Sequence, residues 1–175
     1  YFGIMLVMFV YNLFLWLSVR DKNYFYYVVY IAASSFFLLN NSGITYQYFW
    51  VWSPAVYNLL VPTGLYLILF SVLIFTVSFL QIKKNIPLLY KILKFLFIVL
   101  ILTYLFGLPV SFRFTMVSGI IVGMASFLLC LFAGIIMVRR GYRPAIFYLV
   151  AWTAFLIGAI VLALKTMGVL PSNVF

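Results

Sequence analysis

Apolar residues run along this chain in blocks too long for a soluble helix and too unbroken for a strand. Bounded by charges, Pro, Gly and Asn, the blocks cover approximately residues 1–19, 24–39, 55–80, 88–106, 114–138 and 145–168. Stretches such as KFLFIVLILTYLF lack the polar alternation a barrel strand needs. A helix crosses roughly 30 Å of hydrocarbon with about 20 apolar residues. The pattern therefore predicts an all-α, polytopic transmembrane helix bundle of six spans, forming a single transmembrane domain over 1–175. The second block is short; Asn40 and Asn41 can sit at the headgroups of a locally thinned bilayer. Pro62 inside the third removes one backbone hydrogen bond and predicts a kink, which neighbouring helices and Thr63 partly compensate.

Composition sharpens this. The chain is 69% hydrophobic, 22% aromatic and only 7% charged, with a mean hydropathy of +1.28, against about 45–50% apolar content in soluble domains. It is apolar from Tyr1 onward, with neither a charged leader region nor a small-residue cleavage site, and reads as a piece of a longer protein, not a signal peptide.

A formal charge of +10 would suggest nucleic acid in a soluble protein. Here the basic residues fill short gaps between apolar blocks, so anionic lipid headgroups are the expected partner and nucleic acid is not. Arg20 and Lys22 occupy the first gap, Lys83, Lys84, Lys91 and Lys94 the third, and Arg139, Arg140 and Arg143 the fifth; only Arg113 and Lys165 fall elsewhere. Lys and Arg in short loops are retained in the cytoplasm, which predicts an N-terminus outside and the end of the sixth span outside as well. Moving one Arg to the bilayer centre costs about 2.5–3.5 kcal/mol on the insertion scale, so RRGYR at 139–143 anchors the fifth and sixth helices, with Gly141 and Pro144 shaping the turn.

Tyr24, Tyr26, Tyr27 and Tyr30 flank one interface, while Tyr46, Tyr48, Phe49, Trp50 and Trp52 fill the outer gap between the second and third blocks. Both sets suit aromatic belts at headgroup depth. Within the outer gap Tyr46, Tyr48, Trp50 and Trp52 are also candidate ligand-binding residues, because pockets are commonly aromatic-lined.

With no histidine, one carboxylate (Asp21) and one cysteine (Cys130), these residues assemble no zinc site, carboxylate pair or Ser-His-Asp triad, and no phosphate-binding GxxxxGK[ST] loop occurs. No metal, cofactor or enzymatic activity is expected of this segment. Nor does any block carry an ionisable group near its centre, as ion translocation usually requires; Lys165 lies near a span end, where its stem can snorkel. Gly119 and Gly123, Ala154 and Gly158, and Ala159 and Ala163 have the small-xxx-small spacing that lets helices approach closely, within the chain or in a homodimer. Asn12, Asn58, Ser34 and Ser35 are candidates for hydrogen bonds across helices. Arg20, Asp21 and Lys22 form a solvated turn or a local ion pair.

Several segments together resemble the membrane domain of the bacterial seven-transmembrane receptors with diverse intracellular signalling modules: YNLFLWLSVRDKNYFYYVVY at 11–30, GITYQYFW at 43–50, FTVSFLQIKKNIP at 75–87, RRGYRPAIFYLVAW at 139–152 and GVLP at 168–171. The resemblance implies a periplasmic sensor before the first helix, seven spans, and a histidine kinase, diguanylate cyclase or similar cytoplasmic output module in the same chain, in a bacterial inner membrane. Six spans with the N-terminus outside leave Phe175 outside, so a cytoplasmic output requires one more crossing. On that reading Arg20, Asp21, Lys83, Lys84, Arg139, Arg140 and Arg143 are candidate cytoplasmic anchoring or coupling residues. The competing expectations are a small transporter or channel subunit, with Asn12, Asn58 and the Pro62 kink lining a path, and a scaffold dimerising through Gly119 and Gly123.

Overall fold

Several of the apolar blocks end where a side chain or a turn satisfies a helix terminus, as Asp21 does for the second and Ser111 for the fourth and fifth. A computed structural model describes residues 2–42, 45 and 54–166, with side chains beyond Ala154 described only for Ile157 and those of Pro54 and Ala55 left out. The helices are α1 (Phe2–Val19), α2 (Lys22–Asn41), α3 (Pro54–Phe79), the short α4 (Ile82–Asn85), α5 (Pro87–Val110), α6 (Phe112–Arg139) and α7 (Pro144–Thr166). No strand occurs among the described residues. Of these helices α1, α3, α5 and α6 are long and apolar enough to cross a membrane, and the chain is a multi-pass helical membrane protein.

The second block is longer than its apolar core. Asp21 caps α2, its Oδ1 accepting the Asn23 N–H at 2.8 Å, so Lys22 and Asn23 start the helix. At the other end Asn40 and Asn41 remain helical because the Asn40 amide turns back on the Phe36 carbonyl at 2.7 Å. The resulting 20 residues span about 30 Å at 1.5 Å per residue, with the polar Lys22, Asn23, Asn40 and Asn41 at the two ends.

Two compact units divide the chain, residues 1–130 and 131–175. In the first, α2 packs against α1 and most extensively against α3, and α3 against α5. Lipid supplies no hydrophobic drive between helices, so contact rests on close van der Waals fit. Gly64 of α3 provides it: a Cβ added there would lie 3.0 Å from the Phe37 Cα on α2. Val28, Ile31, Val61, Leu73, Leu93 and Leu100 fill the interior. Pro62 lies fully buried inside α3.

The α5–α6 connection is a single residue, shorter than the 107–113 gap in the apolar pattern. Ser111 ends α5 through its N–H to the Gly107 carbonyl, 3.2 Å, and starts α6 through its Oγ, which accepts the Phe114 N–H at 3.1 Å. Gly107 makes the turn possible: any side chain on it would meet Thr115 Oγ1 at 2.8 Å. Pro109 falls in the last turn of α5, where it has no N–H to give the Leu105 carbonyl, and the helix ends one residue later.

In the second unit α6 ends in a left-handed glycine, Gly141, φ 79°. Gly141 N–H bonds the Val138 carbonyl (2.9 Å) and Tyr142 N–H the Met137 carbonyl (3.1 Å), the pair of bonds that closes a Schellman ending. Pro144 then opens α7, where its missing N–H costs nothing. Gly134 brings the two helices together: a Cβ there would meet Leu149 at 2.8 Å and Tyr148 at 3.0 Å.

Candidate functional site

Two polar constellations lie in the first unit, at different depths along α3. The first ties together its basic turns. Arg20 closes α1 in the left-handed region, φ 57°, with its N–H on the Trp16 carbonyl at 2.7 Å; Asp21 then caps α2. The α3–α5 connection is built similarly. Gln81 adopts φ 49°, ψ 40°, and Leu80 and Ile82 on either side are fully buried, with Ile86 close behind, while Lys83 and Lys84 of α4 are exposed. Left-handed backbone costs a non-glycine residue roughly 1–2 kcal/mol; at Gln81 the buried Leu80 and Ile82 hold the turn, whereas Val19 and Asp21 beside Arg20 are exposed.

Ser78 joins the two turns: its Oγ donates to Asn23 Oδ1 at 2.9 Å. Around this bond Tyr27 packs on Phe75 (ring centroids 5.7 Å) and Phe75 stacks on Phe79 (5.2 Å). The basic residues Arg20, Lys22, Lys83 and Lys84 therefore share one end of the unit, with Lys91 and Lys94 exposed in the first two turns of α5. The carboxylate of Asp21 serves as a helix cap, the structural counterpart of the solvated turn read from RDK. In the second unit Arg139, Arg140 and Arg143 surround the exposed Gly141 turn.

The second constellation is a group of hydroxyls beside the buried proline. Thr63 Oγ1 donates to the Leu59 carbonyl at 2.6 Å and lies 2.8 Å from the Tyr104 hydroxyl of α5. Tyr66, only 1% exposed, reaches α6, its hydroxyl 3.2 Å from both the Thr115 carbonyl and Ser118 Oγ. Its ring lies 5.0 Å from that of Tyr104. Gly119 lies under that ring: a Cβ there would be 2.9 Å from Tyr66 Cε2, and one on Gly123 would be 3.0 Å from Leu69 Cδ2. Both glycines thus face α3 of their own chain. Sequence reasoning missed Tyr66, Tyr104, Thr115, Ser118, Ser78 and Asn23, because isolated hydroxyls in apolar runs carry no spacing signal.

Other sequence candidates lie elsewhere. Asn12 donates to the Met8 carbonyl of its own helix at 2.8 Å and Asn58 is exposed, so the two do not face a common path with Pro62. Ser35 donates to the Ile31 carbonyl at 2.8 Å and meets Met5 Sδ of α1 at 3.8 Å. Ala154 is exposed; in the second unit the close approach between α6 and α7 is made at Gly134 of α6. The surroundings of Gly158, and the aromatic residues Tyr46, Tyr48, Trp50 and Trp52, lie outside the described residues.

Compared with known proteins, the chain matches the family model described as 7TM diverse intracellular signalling over residues 1–175, and it belongs to that family. No curated protein and no solved structure matches it.

Proposed function

We propose that this member of the 7TM diverse intracellular signalling family relays a signal across the bacterial inner membrane, from an extracytoplasmic sensor to a cytoplasmic output module of histidine kinase or diguanylate cyclase type in the same protein. The observation that carries the reading is the family match along the whole chain. The N-terminus lies outside and the basic turns at 20–22, 83–94 and 139–143 lie in the cytoplasm, against anionic headgroups. A ligand or partner acts outside and can shift two helix arrangements only by its differential affinity for them.

The bonded turns of the first unit support this relay. Ser78 and Asn23 couple the end of α3 to the start of α2, so movement of α3 along its axis reaches both basic turns. Arg20 and Gln81 hold left-handed backbone there, and strain of this kind collects at switching elements. Arg20, Asp21, Lys83, Lys84, Arg139, Arg140 and Arg143 serve as anchors at that face and as the surface nearest the output module.

The test is to read the coding sequence beyond Phe175 and then assay its product. One further apolar span followed by a kinase or cyclase is expected. In cells expressing that full-length protein, Ser78→Ala should change the basal phosphotransfer or cyclic-dinucleotide level several-fold. A coding sequence without an output module, or an output that ignores Ser78→Ala, Gln81→Gly and removal of the sensor alike, contradicts the relay.

A further inference from the structure

The hydroxyl group beside Pro62 has a proton ledger that singles out one residue. Each hydroxyl has one proton to donate. That of Thr63 goes to the Leu59 carbonyl at 2.6 Å, so Tyr104 donates to Thr63 across 2.8 Å. Thr115 donates to the Ser111 carbonyl at 2.9 Å and Ser118 to the Phe114 carbonyl at 2.8 Å. Ser118 also reaches the Thr115 carbonyl at 3.1 Å, as a longer branch beside its 2.8 Å bond; Tyr66 has no such short bond, its two acceptors, the Thr115 carbonyl and Ser118 Oγ, both lying at 3.2 Å. Good O–H···O bonds are about 2.7–2.8 Å. The pair of long bonds is the weak member of a set otherwise well made.

The surroundings make the two sides of this weak link discrete. Pro62, four positions before Tyr66, denies α3 one backbone hydrogen bond, so the helix can bend there. The ring of Tyr66 lies against Gly119 with no room for a single carbon, and packed interiors change between distinct arrangements, not by gradual deformation.

We infer that Tyr66 is the releasable pin of this domain: its hydroxyl holds α3 to α6 on the Thr115–Ser118 turn in one arrangement, and α3 bends at Pro62 when that hold is lost. This deepens the relay proposed above and rests on it for its biological meaning, but the pin itself is a statement about two helices. Movement released at Pro62 travels down α3 to the Ser78–Asn23 bond. The polar group thus sits between the outer end of α3 and the basic turns.

The test uses the full chain in lipid nanodiscs, with spin labels on Leu67→Cys of α3 and Ile121→Cys of α6, both exposed, while Cys130, fully buried, stays unlabelled. The parent protein should give one dominant distance. Tyr66→Phe keeps the ring and removes the hydroxyl; it should raise the ratio of a second distance to the first by roughly three- to twenty-fold, the range set by measured hydrogen bonds between membrane helices. Gly119→Ala, which displaces the ring without touching the hydroxyl, should populate the same second distance. Distributions unchanged in both variants overturn the pin. Shifted distances with no matching change in the output of the full-length protein leave the pin standing and contradict the relay; a changed output without a distance change does the reverse.

Discussion

Gly64→Ala puts one carbon into a close backbone crossing of the first unit, between α2 and α3. The added Cβ would lie 3.0 Å from the Phe37 Cα, 3.3 Å from its Cβ and 3.4 Å from Phe36 Cδ1. The nearest of these is backbone, which cannot rotate away, so α2 and α3 must separate. Overpacking of this kind costs about 1–3 kcal/mol. Alanine in a helix interior returns about 0.8–1.0 kcal/mol relative to glycine, so the net loss is about 0–2 kcal/mol. Gly3→Ala, in the first turn of α1, is the control: no packed neighbour lies within 4 Å of its Cβ position, leaving no overpacking and a propensity gain of at most about 0.5–1 kcal/mol. The two variants should therefore differ by about 1–3 kcal/mol. Denaturant unfolding in bicelles, followed by reaction of the buried Cys130 thiol, measures this directly. Gly64→Ala as stable as Gly3→Ala, or more so, would refute the claim that backbone proximity at Gly64 sets the α2–α3 distance.

The turns at the basic end give three further expectations, readable in the same unfolding assay. Asp21→Ala removes the α2 cap and should lower stability by about 1 kcal/mol, with Asp21→Asn nearly neutral; equal losses for the two would deny the capping role. Gln81→Gly relieves a left-handed residue and should stabilise the protein by about 1 kcal/mol, a gain that would be absent if the turn were relaxed. Ser78→Ala and Asn23→Ala, combined in a double-mutant cycle, should couple by about 0.6–1.7 kcal/mol; additive effects would mean that the bond between the turns contributes nothing.

Which helices form was readable because block length alone decides it: α1, α3, α5 and α6 follow the apolar runs to within a few residues. The errors fall where polar residues lie inside helices. Lys22, Asn23, Asn40 and Asn41 look like loop but are helical, because Asp21 caps one end and Asn40 satisfies its own helix at the other. The helix α4 is four residues long and leaves no periodicity to detect. Gly107, Leu108 and Pro109 read as a break, yet α5 continues to Val110 since Gly107 admits Thr115. Spacing picked out Gly119 and Gly123 but not what they face, and Gly64 and Gly134, which have no small partner four residues away in the pattern, make equally close approaches. The Tyr66–Thr115 contact joins residues 49 positions apart, a pairing that periodicity cannot encode.

The relay depends on the basic turns lying on the cytoplasmic face. In intact cells, Val110→Cys beside the α5–α6 turn and Lys84→Cys in α4 can be challenged with a membrane-impermeant thiol reagent, both sites being exposed. Val110→Cys should react from outside and Lys84→Cys only after permeabilisation. Labelling of Lys84→Cys in intact cells, with Val110→Cys protected, would reverse the orientation and contradict the relay.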